Sequence, residues 1–377
     1  MTFNSFSMIL MMLTSFPRAN SFLSLVKPSR VFRAISLRAD NGGQLVALDK
    51  LTEVLEVFSS VQNKPGGGRW EVDTETGSFV LVPSLTPWIV IHFIGGAGFG
   101  KYPKVAYGAL LERLVDSCGG GVAVICTPFD AGLDHTVLAA QSADAFDSVL
   151  ARRREGDCWP ETTRVARLGH SLGAKLHLIN ACPPLQGVGA AEESNARYMP
   201  GSSSSTQQIQ IGLIAFNNFP LASSIGQALS FFEAFTANSF VNVPFLRGLA
   251  DVATMFVQNS GLEFDPSPSA LVQRLTPAVA ATEITVMRFE DDVLDSSPDL
   301  QTFQNVKIVE LDGEHLTPVF VQVSNADIAA SAAGSGLPPL DGFLDEQGAF
   351  SFGDEAALSR LVSALKEWLV PSKKLLN

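Results

Sequence analysis

The sequence predicts an α/β fold, a mostly parallel central sheet flanked by helices, on two observations. Short, near-continuous apolar runs alternate along the chain with longer amphipathic stretches, as strands buried on both faces and their covering helices would. At 377 residues, 46% hydrophobic and 17% charged, the chain is also long enough to bury the core that such a sheet needs.

Taken in order, LVALDKLTEVLEVFSSV (45–61) reads as a short helix and PGGGRW as a Gly-rich turn. The strands are then FVLVP, WIVIHFI, VAVICTPF, RVARLGH, IQIGLIAF, EITVMRF and VKIVEL, each apolar and rich in β-branched or aromatic residues. Between them VAYGALLERLVD, HTVLAAQSADAFDSVLARRR and LGAKLHLINA carry helical periodicity. Residues 45–220 and 283–377 form the core on this reading. Two polar stretches, 183–207 with GSSSST and 324–354 with AASAAGSG, read as flexible surface insertions. Residues 221–282 read as a helical cap insertion, because Phe231, Phe232, Phe235, Phe240, Phe245 and Phe256 must cover something.

Charge excludes one class of partner. A net −12 is unsuited to nucleic acid, whose phosphates call for clustered Lys and Arg. The balance is uneven, however. Residues 1–40 hold Arg18, Lys27, Arg30, Arg33 and Arg38 against Asp40 alone, a net +4 that leaves −16 for the rest. This Ser-, Phe- and Arg-rich, acid-poor segment reads as a targeting sequence. No later stretch holds the roughly 18 apolar residues of a membrane-crossing helix, so the expected membrane contact is peripheral at most. Cys118, Cys126, Cys158 and Cys182 form no C-x-x-C pair and read as buried free thiols, and no metal or organic cofactor is implied.

The strongest local signal is Gly169-His170-Ser171-Leu172-Gly173, a G-x-S-x-G between a strand and a helix. Glycines on both sides of a serine relieve the crowding of a sharp strand-to-helix turn and leave the hydroxyl projecting above the sheet, the nucleophile elbow of α/β-hydrolases. A serine near neutral pH needs a base, which in that fold follows later in the chain after an acid. His315, in VKIVELDGEHLTP, fits the base. RFEDDVLDSS supplies the acid: Asp292 is preferred, with Asp291 and Asp295 as alternatives. His170 and His177 are poorly placed for the base; His135 reads as a structural or pocket-lining residue, and His92 as a pin for the loop after its strand.

IHFIGGAGFGKY admits two readings. Gly95, Gly100 and Lys101 fit a P-loop, but Tyr102 stands where that motif needs Ser or Thr. As the loop after a core hydrolase strand it would aim an amide of Ile94 or Gly95, together with that of Leu172, at a developing oxyanion.

With these motifs assembled, the chain resembles the DUF1350 family, α/β-hydrolase-like proteins of cyanobacteria, algae and plant plastids whose function is uncharacterised. IHFIGGAGFG, TPFDAGLDH, GHSLGAKLHL, IAFNNFP, RFEDDVLDSS and GEHLTP carry the resemblance in the family's order, over roughly residues 69–320. The two polar insertions and the GGAGFG loop depart from it. The resemblance implies an α/β-hydrolase fold and a plastid destination for the N-terminal segment. Two functions follow as expectations. One is a serine hydrolase acting on a small-molecule acyl or lipid-like ester; the other is a non-catalytic binding or scaffold protein of the plastid on the same fold.

Overall fold

The computed structural model describes residues 68–182, 210–227, 251, 254–255, 257–279, 282–323 and 350–370. The stretches expected to be a targeting segment (1–40) and a helix (45–61), all of 183–207, most of 324–354 and the Phe-rich centre of 221–282 lie outside these residues.

Every run expected to be a strand is one. They are β2 (Phe79–Pro83), β3 (Ile89–Ile94), β4 (Val122–Cys126), β5 (Arg164–His170), β6 (Gln210–Ile214), β7 (Glu283–Phe289) and β8 (Val306–Leu311), joined by β1 (Gly68–Val72). They form an eight-stranded sheet in the order β1-β2-β4-β3-β5-β6-β7-β8. The pairs β1–β2 and β2–β4 are antiparallel and all later pairs parallel. This is the α/β-hydrolase arrangement, with the elbow following β5. The end of the PGGGRW stretch, expected to be a turn, opens β1 instead from Gly68: Arg69 to Val72 pair antiparallel with Val82 to Phe79. Its Trp70 Nε1 also donates to Glu112 at 2.6 Å.

Helices cover both faces. α1 (Pro103–Ser117) and α5 (Glu355–Leu369) lie on one, α2 (His135–Gly156), α3 (Leu172–Ala181) and α4 (Pro268–Val279) on the other. The pleat of β3 explains the division. Ile89, Ile91 and Phe93 pack among α1 and α5 residues such as Leu110, Leu114 and Leu361. Val90 joins Phe146 and Val149 of α2, and Ile94 joins Leu176 of α3.

α4 corrects the expected domain boundaries. Its Leu271 and Leu275 are buried with Ile211, Leu213, Ile284 and Val286. It is therefore the crossover helix that a parallel β6–β7 pair requires, so any cap is confined to residues before it. The 324–354 stretch is likewise not all insertion, since Phe350–Phe352 forms β10 and pairs antiparallel with β9 (Val321–Val323). Asp354 then caps α5, accepting from the amides of Ala356 and Ala357. Among the cysteines, Cys126 and Cys182 are buried and Cys118 is half-buried, but Cys158 is exposed, contrary to expectation. No helix among the described residues is long and apolar enough to cross a membrane.

Candidate active site

The turn after β5 is set by close approach. Ser171 has φ 54° and ψ −116°, a conformation costly for a residue with a side chain, and its amide donates to the Ile214 carbonyl at 2.9 Å. A Cβ on Gly169 would lie 2.5 Å from the Ala174 nitrogen, and one on Gly173 would lie 2.1 Å from the Ile94 oxygen and 2.6 Å from that of Gly95. The two glycines thus let α3 turn back over the ends of β3 and β5. Gly173→Ala is accordingly expected to destabilise the fold by about 3 kcal/mol or more, since backbone on both sides must shift. A lowered denaturant midpoint checks this, and a midpoint equal to the wild type contradicts it.

Two loops bring the partners. Beyond β8, Thr317 Oγ1 accepts from the Glu314 amide at 2.9 Å and tightens the turn carrying His315. Beyond β7, the Asp292 carboxylate accepts from the Leu294 amide at 2.7 Å. The loops are tied together by the Asp291 amide donating to the Gly313 carbonyl at 3.1 Å. His315 Nε2 lies 2.9 Å from Ser171 Oγ, while its Nδ1 lies 2.9 and 3.0 Å from the two Asp292 oxygens. All three residues are buried. A carboxylate can only accept, so Nδ1 carries the proton and Nε2 is left to accept from the serine hydroxyl.

The other acids are engaged differently. Asp295 pairs with Arg288 Nε at 3.0 Å and accepts from the Ser297 amide and hydroxyl, and Asp291 is exposed. Only Asp292, of the three candidates, meets His315.

The glycine loop lies directly over the elbow. A Cβ on Gly96 would be 3.2 Å from the Ser171 Cβ, and one on Gly95 would strike Tyr107 at 2.6 Å. The Gly100 amide is spent on the Gly96 carbonyl at 2.6 Å, and Lys101 Nζ pairs with Asp130 at 2.9 Å. An amide and an ammonium that a phosphate cradle would use are thus engaged within the protein, and the glycine spacing is explained by packing. Leu172 opens α3; Ile94 is the last residue of β3, in register with Gly169, and Gly95 is the first residue beyond the strand.

One hydrogen-bond chain was not legible in the sequence. The Gly96 amide donates to the Tyr107 hydroxyl at 2.8 Å, which leaves that hydroxyl's proton for His170 Nδ1 at 2.8 Å; His170 Nε2 then donates to the His315 carbonyl at 2.9 Å. His170, the variable residue of the elbow, thereby ties the glycine loop to the loop of His315. Burial first, and the neighbouring His315 second, push its pKa down to about 3, so the ring stays neutral as this chain requires. Tyr107→Phe leaves a buried amide and a ring nitrogen unpartnered, and the expected loss is about 2 kcal/mol of stability, read from chemical denaturation; an unchanged stability contradicts this.

The remaining histidines are structural or orphaned. His92 does not pin the loop. It sits within β3, stacks on Phe146 at 4.3 Å, and its Nε2 lies 2.9 Å from Thr127 Oγ1 at the end of β4. His177 Nε2 donates to the Leu168 carbonyl at 3.2 Å. His135 opens α2 and stacks on Phe264, and among the described residues its ring has only the backbone of Gly132 as a weak partner. Among the described residues no group of three His, Cys, Asp or Glu is placed to hold a metal ion.

Solved structures similar to this chain include carboxyl esterase 2 of the mycorrhizal fungus Tuber melanosporum, at 14% identity over 82% of this chain and 88% of that one, with a TM-score of 0.42. An esterase of Thermogutta terrifontis is 13% identical over 81% of this chain and 94% of its own, with a TM-score of 0.40. An esterase of Pyrococcus furiosus is 11% identical over 80% and 91%, with a TM-score of 0.42. No curated protein matches the sequence. The profile of DUF1350, described as a protein of unknown function, matches residues 71–371, and the chain belongs to that family.

Proposed function

We propose that the protein is a serine hydrolase that cleaves an ester or related acyl bond. The observation that carries this reading is the continuous contact from Asp292 through His315 to Ser171, at 2.9 to 3.0 Å throughout. In this mechanism His315 Nε2 takes the Ser171 proton as Oγ attacks the acyl carbon, and Asp292 holds the imidazole in register and stabilises its cationic form. The oxyanion of the tetrahedral intermediate accepts from the amides of Leu172 and of the glycine loop. Within that loop Gly95 is the better donor, since Ile94 still belongs to the β3 ladder. Collapse expels the alcohol, protonated by His315. A water activated by the same imidazole then attacks the acyl-enzyme and releases the acid.

A small-molecule acyl substrate is the class this machinery handles, and a lipid-like one is supported by the seven phenylalanines of 221–282. The non-catalytic reading has no observation in its favour: side chains separating Ser171 from His315 would supply one, and the two are in hydrogen-bond contact. A p-nitrophenyl ester series of increasing acyl length tests the activity. A burst of nitrophenol equal to the enzyme concentration, or steady turnover, supports it; the absence of both across the series contradicts it. The composition of residues 1–40 further supports delivery to a plastid, which a fluorescent fusion expressed in plant cells checks by its location, a cytosolic signal being the contrary result.

A further inference from the structure

Outside the serine site, the described residues bury a second group of titratable side chains between α2 and α3. Lys175 stands on α3 four residues after Ser171, about 6 Å further along the helix axis. It is 2% exposed, yet neither a hydrogen bond nor an ion pair to its ammonium is found among the described residues. Its Nζ instead lies 5.2 Å from the centre of the Phe264 ring. His135, at the start of the neighbouring helix, stacks on the same Phe264 at 4.3 Å. It too is 2% exposed, and among the described residues its ring nitrogens have only the backbone of Gly132 as a weak partner, short of full hydrogen-bond geometry.

Such a pair is costly to bury. An ammonium withdrawn from water needs a counter-charge, and an imidazole needs at least one partner for its N–H. Among the described residues the acid whose charge favours the ammonium is Glu263, which makes no ion pair with it and whose Oε1 accepts from the amides of Leu221 at 2.7 Å and Phe264 at 2.8 Å. Burial pulls the Lys175 pKa down to about 8 and that of His135 to about 3, the lysine's charge adding to the latter while the backbone of Gly132 partly offsets it. Both directions are those of groups lacking an anionic partner. A cation-π contact with Phe264 compensates only part of an ammonium's lost hydration.

We propose that Lys175 and His135 form a binding subsite for an anionic oxygen group, a carboxylate or a phosphate, carried by the substrate about one helical turn from the carbon that Ser171 attacks. The position of that carbon rests on the serine hydrolase reading above. The ammonium and an imidazole N–H supply the two donors, both set against the Phe264 ring. The substrate is then an ester with a short acidic arm rather than a purely apolar one.

The test uses the full chain with two substrates of equal length, p-nitrophenyl hemiglutarate and its neutral methyl ester. A desolvated charge-assisted contact is expected to give the anionic ester a kcat/KM about tenfold or more above the neutral one. Lys175→Met, which keeps the volume, brings that ratio to about one, and Lys175→Arg retains a preference for the anion. A wild-type ratio near one, or a preference that survives in Lys175→Met, overturns the inference. Inhibition by glutarate or by inorganic phosphate, whichever is stronger, then separates carboxylate from phosphate. Where neither ester is turned over, the hydrolase reading fails by itself and the readout becomes melting temperature. A rise with glutarate or phosphate that Lys175→Met loses supports the subsite, and a rise that is absent or persists in the variant overturns it. The unliganded variant is expected to melt above the wild type, because it removes an uncompensated buried charge; a lower melting point assigns Lys175 to holding the fold and also overturns the inference.

Discussion

Replacing Ser171 by alanine is expected to lower kcat on any ester the protein turns over by about a millionfold, and His315→Ala by a comparable factor. Without Oγ there is no acyl-enzyme; without the imidazole the serine proton has no acceptor, since the other ring nearby, His170, is committed at both nitrogens to Tyr107 and the His315 carbonyl. The two losses should not add. A double variant is expected to be no slower than either single one, because each already disables the same step. Ser171→Ala removes a single oxygen and leaves the core untouched, so an unchanged melting curve of that variant distinguishes chemistry from misfolding. A Ser171→Ala protein hydrolysing esters at the wild-type rate contradicts the assignment.

Asp292→Asn carries the second largest effect, a fall in kcat of about ten-thousandfold. The amide presents both an oxygen and an NH2 where two oxygens now face His315 Nδ1 at 2.9 and 3.0 Å. The Leu294 amide, 2.7 Å from Asp292 Oδ1, holds the oxygen of an asparagine on its own side and turns the NH2 toward the ring. His315 then accepts at Nδ1 and carries its proton on Nε2, the tautomer that cannot take a proton from serine. Asp295→Asn serves as the control. Its carboxylate is bound to Arg288 and Ser297, so the expected loss is of stability, with kcat within about threefold of the wild type. Equal effects of the two substitutions on kcat contradict the role given to Asp292.

The parts of this fold legible in the sequence were those whose physics is local. Buried strands such as IVIHFI and VAVIC announce themselves because both faces are covered, and GHSLG does so because a strand-to-helix turn admits little but glycine beside the serine. Three acids within five residues could not be separated by spacing alone. The choice of Asp292 depends on a turn closed by the Leu294 amide and on Arg288 drawing Asp295 away. Strand β1 was hidden by the glycines before it, although the alternation of RWEV, with its tryptophan reaching Glu112, was a usable signal. The role of α4 was masked by the phenylalanines preceding it, and its Leu271 and Leu275 show a core helix only once β6 and β7 are known to be neighbours. Contacts with no local signature were not readable at all. His170 meets Tyr107 across 63 residues and the His315 carbonyl across 145, and Lys175 looks in sequence like an ordinary surface position of a helix.

The central claim is that Ser171 is an activated nucleophile. A fluorophosphonate probe tests it most directly, because phosphonylation requires that activation and no knowledge of the natural substrate. The full chain is treated with the probe beside Ser171→Ala and His315→Ala, and the adduct is mapped by mass spectrometry of peptides. The predicted result is a single adduct on Ser171 of the wild type and none in either variant. A folded wild-type protein that takes up no probe, or an adduct that persists in His315→Ala at the wild-type rate, would contradict the claim.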